Sequence, residues 1–425
     1  MSWKEVILKI TTVDTSPRAS SSGVDAVLLC AVVLCTVIVP DIRISGELHI
    51  GIEEFFVPLM TLRLIWKRMY VVNVFTVSMT YLFLIIGVSV FINHQQSDYR
   101  NLLELYKVIK LGVLFTFAVF VLGESRHRTR LYRLLEVLIV FLAVVNLLHL
   151  FNAFGINEWL IALYDYDGRD IAFFGLNSLG QSDARRIIGT MGNPNDNAIL
   201  ILFFLCCFLF RSLLNRANQK QVSFYNVLIG ICAVLIVLCQ SRTGIVVLAV
   251  VFIISLYLAS WSVKNLMVVL AATLGALFLI NICVDYHALS YVNNTHMSMD
   301  ENNSYNARLN VWMRLIEQWK QRPIIGFGPN KEYIYSNKLY PENEYIFYLW
   351  RYGVLGLLGY CALLFGHLLL VGKKLRHYPL LIFIDCVLGL TAITNNPLTN
   401  PKFVVIFALG WALAVSCIEQ TKPIT

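Results

Sequence analysis

Apolar runs about as long as a bilayer is thick recur along most of this chain. They fall at roughly 24–39, 48–65, 70–92, 104–122, 131–151, 195–210, 224–240, 243–260, 265–284, 344–371, 379–393 and 402–418. A transmembrane helix needs about 20 such residues. Inside hydrocarbon every backbone polar group has to be paired within its own segment, so each run reads as a helix. The period-two alternation of a membrane barrel strand is absent. The pattern therefore predicts an all-α, polytopic membrane helix bundle of about twelve transmembrane helices. The transmembrane domain spans 24–418, between polar segments at 1–23 and 419–425. Met1–Gly23 is polar, so no cleavable signal peptide is expected.

Two longer stretches, 152–194 and 285–342, interrupt the hairpins, and connections of that length are usually functional or disordered. Both contain Trp, Tyr, Gly and Arg, which favours order. Within the second, Asn306–Gln321 puts Leu309, Trp312, Met313, Ile316 and Trp319 on one face at helical spacing. That is an amphipathic helix lying on the bundle or at the lipid interface.

Composition agrees. Of 425 residues, 58% are hydrophobic and 14% charged, against about 25% charged in a soluble domain. All ten cysteines fall in the apolar runs, so neither a disulfide nor a structural zinc site is expected. Lysine and arginine set orientation. With the N-terminus inside, the inner segments hold seventeen of them, whereas the four short outer loops hold only Arg43, Arg100, Arg242 and Lys402. This places both termini on the inner side and both long loops on the outer side. The net charge of +8 is thus mostly a topology signal, and no nucleic-acid partner is expected.

Four polar clusters could carry chemistry. Arg185 and Arg186 precede Gly189, Asn193, Pro194 and Asn195, where a loop meets a span. Asn193 suits an N-cap and Pro194 the first helical position. Two guanidinium groups near free helix-end amides make an anion site; the alternative is two headgroup arginines and a routine cap. Ser241-Arg242-Thr243-Gly244 is a turn between spans, where an arginine at the membrane edge is costly unless paired or wetted. Arg308 begins the amphipathic helix, whereas Arg314 and Arg322 read as a solvated face. Pro323-Ile-Ile-Gly326-Phe-Gly328 is followed by Glu342-Asn343-Glu344-Tyr345 at the start of a long span, with Gly353 and Gly356 beyond. A partly desolvated carboxylate there can serve as a base; the alternative is favourable placement at a helix N-terminus. Asp165 and Asp167 could pair on a metal, but they lie on the outer side, away from nucleotides, and no metal is expected.

In this order the clusters resemble the O-antigen ligase and polymerase superfamily, the Wzy and WaaL proteins. The shared parts are Arg-x-x-Gly with Asn-Pro-Asn, Ser-Arg-x-Gly, Arg-x-x-x-Trp (Arg308 and Trp312), Pro-x-x-Gly-x-Gly, and Asn-x-Tyr followed by Gly-x-x-Gly. The resemblance covers about 185–356. Arg169 and Gly180 add a weaker match to polymerases. Ligases resembling this pattern carry His-Asn-x-Tyr; Glu342 in place of histidine leans toward a Wzy-type polymerase.

The resemblance implies a GT-C-like glycosyltransferase in the bacterial inner membrane that needs no metal or cofactor. The donor would be a glycan on undecaprenyl pyrophosphate and the acceptor the terminal sugar of a second such lipid. Arg242 and Arg308, with Arg186 and Arg185, would meet the pyrophosphate. Glu342 would accept the proton, with inversion at the anomeric carbon. Asn193, Asn195, Asn343, Glu344, Tyr345 and Arg169 would contact substrate. A Wzz-type chain-length regulator is an implied partner, besides membrane lipid. Ligation to lipid A core is the nearest alternative. A flippase would need charges deep in the spans, where Asp385 stands out. A scaffold would not gather arginines at one face.

Overall fold

The computed structural model describes residues 21–45, 48–164, 186–257, 261–284, 304–337, 339–371 and 378–417. The helices are α1 (Gly23–Ile38), α2 (Phe56–Trp66), α3 (Val74–Ile92), α4 (Tyr99–Leu122), α5 (Ser125–Phe151), α6 (Ile156–Tyr164), α7 (Pro194–Leu214), α8 (Gln219–Leu238), α9 (Arg242–Tyr257) and α10 (Val263–Val284). They continue as α11 (Ser304–Trp319), α12 (Lys331–Ser336), α13 (Glu344–Val371), α14 (Pro379–Thr391) and α15 (Pro401–Ser416). Among the described residues, seven helices are long and apolar enough to cross a membrane, and α1, α9, α14 and α15 are shorter apolar helices. At about 1.5 Å per residue, sixteen residues reach about 24 Å, less than a full hydrocarbon core. The chain is an all-α polytopic membrane protein apart from one short ribbon.

Helix starts follow the capping residues. Asn193, Asn400 and Asn73 each accept a backbone N–H through the side chain, and α7, α14 and α15 carry proline in the first turn. Ser22 and Asp25 form a reciprocal capping box on α1.

The run at 48–65 is not one continuous helix. Two antiparallel strands, β1 (Ile42–Ser45) and β2 (Leu48–Ile50), lead through a 3-10 turn, Ile52–Phe55, into the eleven-residue α2. Gly51 with Glu53 and Glu54 makes the first half of this run a poor helix and a good turn. Even so, the segment traverses the bundle, because Arg63 and Lys67 at its end pair with Asp25 at the start of α1 (2.9 and 2.7 Å).

At the centre, α7 and α15 are buried along almost their whole length, as expected of helices apolar all round. Helix α7 packs on α8 and α14, α15 on α4, and α13 on α3. In contrast, only 11% of the Val263–Asn281 window of α10 is buried.

The bundle has two distinct ends. At one, Arg128 donates to the terminal carbonyls of α4 and α15 (Leu122 O 2.7 Å, Ser416 O 3.2 Å), a cation closing two helix C-termini. At the other end the starts of α7, α9, α13 and α15 meet, and the candidate site lies there.

Candidate active site at the α13 start

Helix α13 breaks at Gly353, whose φ of 66° and ψ of −164° lie outside the helical region. A break strands backbone groups, which have to be satisfied locally within a membrane bundle. The Pro323–Gly328 segment does this from both sides. Phe327 N and Gly328 N donate to Trp350 O and Arg351 O (3.1 and 2.7 Å) above the break. Below it, Val354 N and Leu355 N donate to Pro323 O and Ile324 O (2.9 and 3.4 Å). Ser89 of α3 adds its hydroxyl to Ile325 O (3.0 Å). The approach is too close for side chains: a Cβ on Gly353 would lie 2.2 Å from Ile324 O, and one on Gly326 would lie 2.5 Å from Arg351 C.

This clamp sets helix α11 against the start of α13. Leu315 of α11, Ile334, Leu339, Phe347 and Trp350 form a small core separate from that of the main bundle. Trp350 stacks on Phe327 and Tyr333 (centroids 5.4 and 5.9 Å) and donates to Gln318 (3.0 Å). Trp312 donates its indole N–H to Pro341 O, and Arg308 forms an ion pair with Glu342. Both partners are accessible, with side chains 30% and 41% exposed. Glu342 has φ 42°, a left-handed backbone that costs energy in a non-glycine residue and is typical of functional sites.

The next three residues turn into the protein. Asn343 is buried and accepts Ile346 N (3.0 Å), capping α13. Glu344 is fully buried and accepts from Tyr360 Oη (2.7 Å), Leu398 N (3.2 Å) and Thr399 Oγ1 (3.2 Å). Tyr345 donates to Gly389 O (2.8 Å). Asn343 caps α13, and Glu344 and Tyr345 tie it to the protein, so in this structure their contacts are positioning ones. Of the two glutamates, only Glu342 reaches solvent.

The α14–α15 linker, Ala392–Asn400, gathers the remaining helix starts. Its Ala392 O accepts Glu344 N (2.8 Å). Thr394 hydrogen-bonds Thr243 (2.5 Å), the residue after Arg242. Asn400 donates to Asp196 in the first turn of α7 (3.1 Å). Thr399 O accepts from Lys107 of α4 (2.8 Å). The sequence reading gave this Asn- and Thr-rich stretch no role. Its composition between two apolar runs was the available signal.

Arg242 is the exposed first residue of α9, and Ser241 accepts Gly244 N (3.2 Å) behind it. Arg186 is buried and donates to Cys239 O and to Asn195 Oδ1 (both 3.1 Å). It therefore braces the α7 start against the end of α8. Asn193 caps α7 through Asn195 N (2.8 Å). Arg185, Arg169, Asp165 and Asp167 lie outside the described residues. Among those described, no group of three His, Cys, Asp or Glu side chains is placed to hold a metal.

A buried charge cluster escaped the sequence reading, which took the spans as almost free of charge. Glu104 of α4 pairs with Lys107 (3.1 Å), Lys331 (2.9 Å) and Arg351 (3.6 Å). One turn further, the fully buried Lys110 pairs with Glu54 and lies 3.6 Å from Glu53. The spacing 104, 107, 110 puts these charges on one face of α4, where they bind α12, α13 and the 3-10 turn. Just before α4, Asp98 is partly buried, which opposes ionisation. Hydrogen bonds from Arg100 N (2.9 Å) and Nε (3.1 Å) nonetheless hold its carboxyl below the usual carboxylate range.

No curated protein matches the chain. A family model described as O-antigen ligase matches residues 226–361. That stretch contains Arg242, Arg308, Glu342 and both halves of the glycine clamp. Over residues 226–361 the chain is thus similar to the O-antigen ligase family.

Proposed function

We propose that this protein is a surface-polysaccharide polymerase of the bacterial inner membrane. It transfers a growing glycan from undecaprenyl pyrophosphate to the terminal sugar of another lipid-linked repeat, on the periplasmic side. The observation that carries this reading is the accessible Glu342–Arg308 pair, held at the start of α13 by a broken helix and its glycine clamp. A carboxylate in a strained, solvent-reaching turn is suited to take a proton from an attacking hydroxyl.

Arg308 already holds the Glu342 carboxylate, so an arriving pyrophosphate competes for the same guanidinium. As the pyrophosphate takes Arg308, Glu342 is released to act as base. Arg242, exposed at the α9 start and tied to the same linker through Thr243, supplies a second guanidinium. Such groups stabilise the charge that develops on the leaving group, and arginine matches phosphate oxygens without a metal. Direct displacement inverts the anomeric centre. Arg186, Asn193, Asn343, Glu344 and Tyr345 then act as positioning residues, and Arg185 and Arg169 are further candidates for substrate contact. A Wzz-type regulator would set chain length from outside this machinery.

Glutamate in place of the ligase histidine favours polymerisation over ligation to lipid A core. Complementation of a polymerase-deficient strain with Glu342→Gln and Arg242→Ala, at matched membrane levels, tests the reading. Single repeats on core in both variants support it. Full ladders in both overturn the assignment. If purified protein extends nothing from a single lipid-linked repeat but attaches glycan to core lipid, the ligase reading replaces it.

A further inference from the structure

Tyr335 and Tyr340 are large rings left 43% and 45% exposed beside the Glu342 turn. They meet edge to face, with centroids 5.8 Å apart and planes at 64°. Together they form a fixed aromatic corner rather than two loose side chains. Helix α12 sets one wall: Tyr333 turns inward to stack on Trp350 and takes a hydrogen bond from Gln318 (2.7 Å), Ile334 is buried, and Tyr335 points out. The turn after α12 sets the other wall, because Leu339 N donates to Ile334 O (3.0 Å) and Leu339 is buried, which lifts Tyr340 to the surface. Two residues later the chain reaches Glu342.

The surroundings select the occupant. Exposed tyrosine at a membrane edge ordinarily faces lipid among apolar neighbours. Here the exposed neighbours on α12 and just after it are Glu332, Ser336 and Asn337. The apolar exposure of this region lies instead on α11 and the following turn, at Met313 and Ile324. An aromatic face with exposed hydrogen-bonding residues beside it on the same helix suits a pyranose, whose C–H face packs on the ring while its hydroxyls meet polar groups.

We propose that Tyr335 and Tyr340 form a sugar-stacking subsite that holds a pyranose of the lipid-linked glycan next to Glu342. This rests on the polymerase reading for the identity of the glycan, but not for the binding itself.

The test uses full-length protein in lipid nanodiscs and the repeat-unit oligosaccharide released by mild acid from the host's own lipid carrier. Binding is followed by saturation-transfer NMR. Tyr335→Ala and Tyr340→Ala are each expected to weaken binding about fivefold. Tyr335→Phe and Tyr340→Phe, which keep the ring, stay within about twofold of wild type. Glu342→Gln binds like wild type while failing to extend chains. Unchanged binding in the two alanine variants overturns the subsite, as does a wild type that binds no oligosaccharide. Alanine variants that alter only partitioning into lipid assign the rings to the membrane edge and also overturn it. If ring-dependent binding is found but wild type never lengthens a chain, the subsite stands and the polymerase reading falls.

Discussion

Glu342 and Glu344 stand two residues apart in opposite environments. One reaches solvent and pairs with an arginine, whereas the other is fully buried under three donors. Glu344→Gln replaces one acceptor oxygen with an amide that faces those donors, and an unmet buried partner costs about 1–3 kcal/mol. A fall of several degrees in the melting temperature of the detergent-purified protein is expected. Glu342→Gln should melt with wild type and lose chain growth. The arginines divide in the same way. Arg186→Met should destabilise by about 1.5–3 kcal/mol, since it removes charged hydrogen bonds to Cys239 O and Asn195. Arg242→Ala, at an exposed position, should shift stability by about 0.5 kcal/mol or less while cutting activity. The sequence made all four candidates visible, because charge at the edge of an apolar run is conspicuous. It did not rank them, because spacing along a chain carries no information about depth.

At the scale of elements, the two glycine motifs are halves of one joint. Pro-x-x-Gly-x-Gly supplies partners for the donors and acceptors that the break at Gly353 strands in α13. Gly353→Ala combines a left-handed backbone with a collision against Ile324 O, and should cost about 2 kcal/mol or more. Protease accessibility of the loop and loss of folded protein from the membrane would report it. Asn193→Ala, which removes a helix cap, should cost about 1 kcal/mol or more by thermal shift. Most helices were legible from hydropathy, and α11 from its amphipathic spacing. The break at Gly353 was not, since it depends on a partner segment twenty-five residues earlier. The run at 48–65 also misled: its average apolarity hides Gly51, Glu53 and Glu54, and its first half forms a short strand and a 3-10 turn.

Across the whole molecule, the charges on one face of α4 connect regions far apart in sequence. Glu104 joins α4 to α12 and α13, and Lys107 reaches the α14–α15 linker that also holds Glu344. Glu104→Ala leaves cations buried without their shared carboxylate, a change worth about 3–5 kcal/mol. The expected result is a sharp drop in folded protein, measured as the monodisperse fraction after detergent extraction. These residues went unread because hydropathy averaging treats a few charges in a long apolar run as noise, and only the fold shows that they share a face. The family model matches residues 226–361, yet the site also draws on α4 and on the linker beyond that range.

The clamp at Gly353 is built almost entirely from main-chain atoms. Main-chain hydrogen bonds are indifferent to side-chain identity, so the residues on either side of this seam can diverge while the glycines stay. The stretch from Ser304 to Tyr352 is therefore joined to the bundle by this seam below the first turns of α13, and by the side chains of Lys331, Glu344 and Arg351. Chimeras cut at Gly353 should fold where the bundle keeps Glu104 and the Glu344 partners, whereas those cut at Asn343, the apparent end of the loop, would sever the joint. Such a seam gives natural variation a place to rewrite the outer surface without disturbing the bundle beneath it.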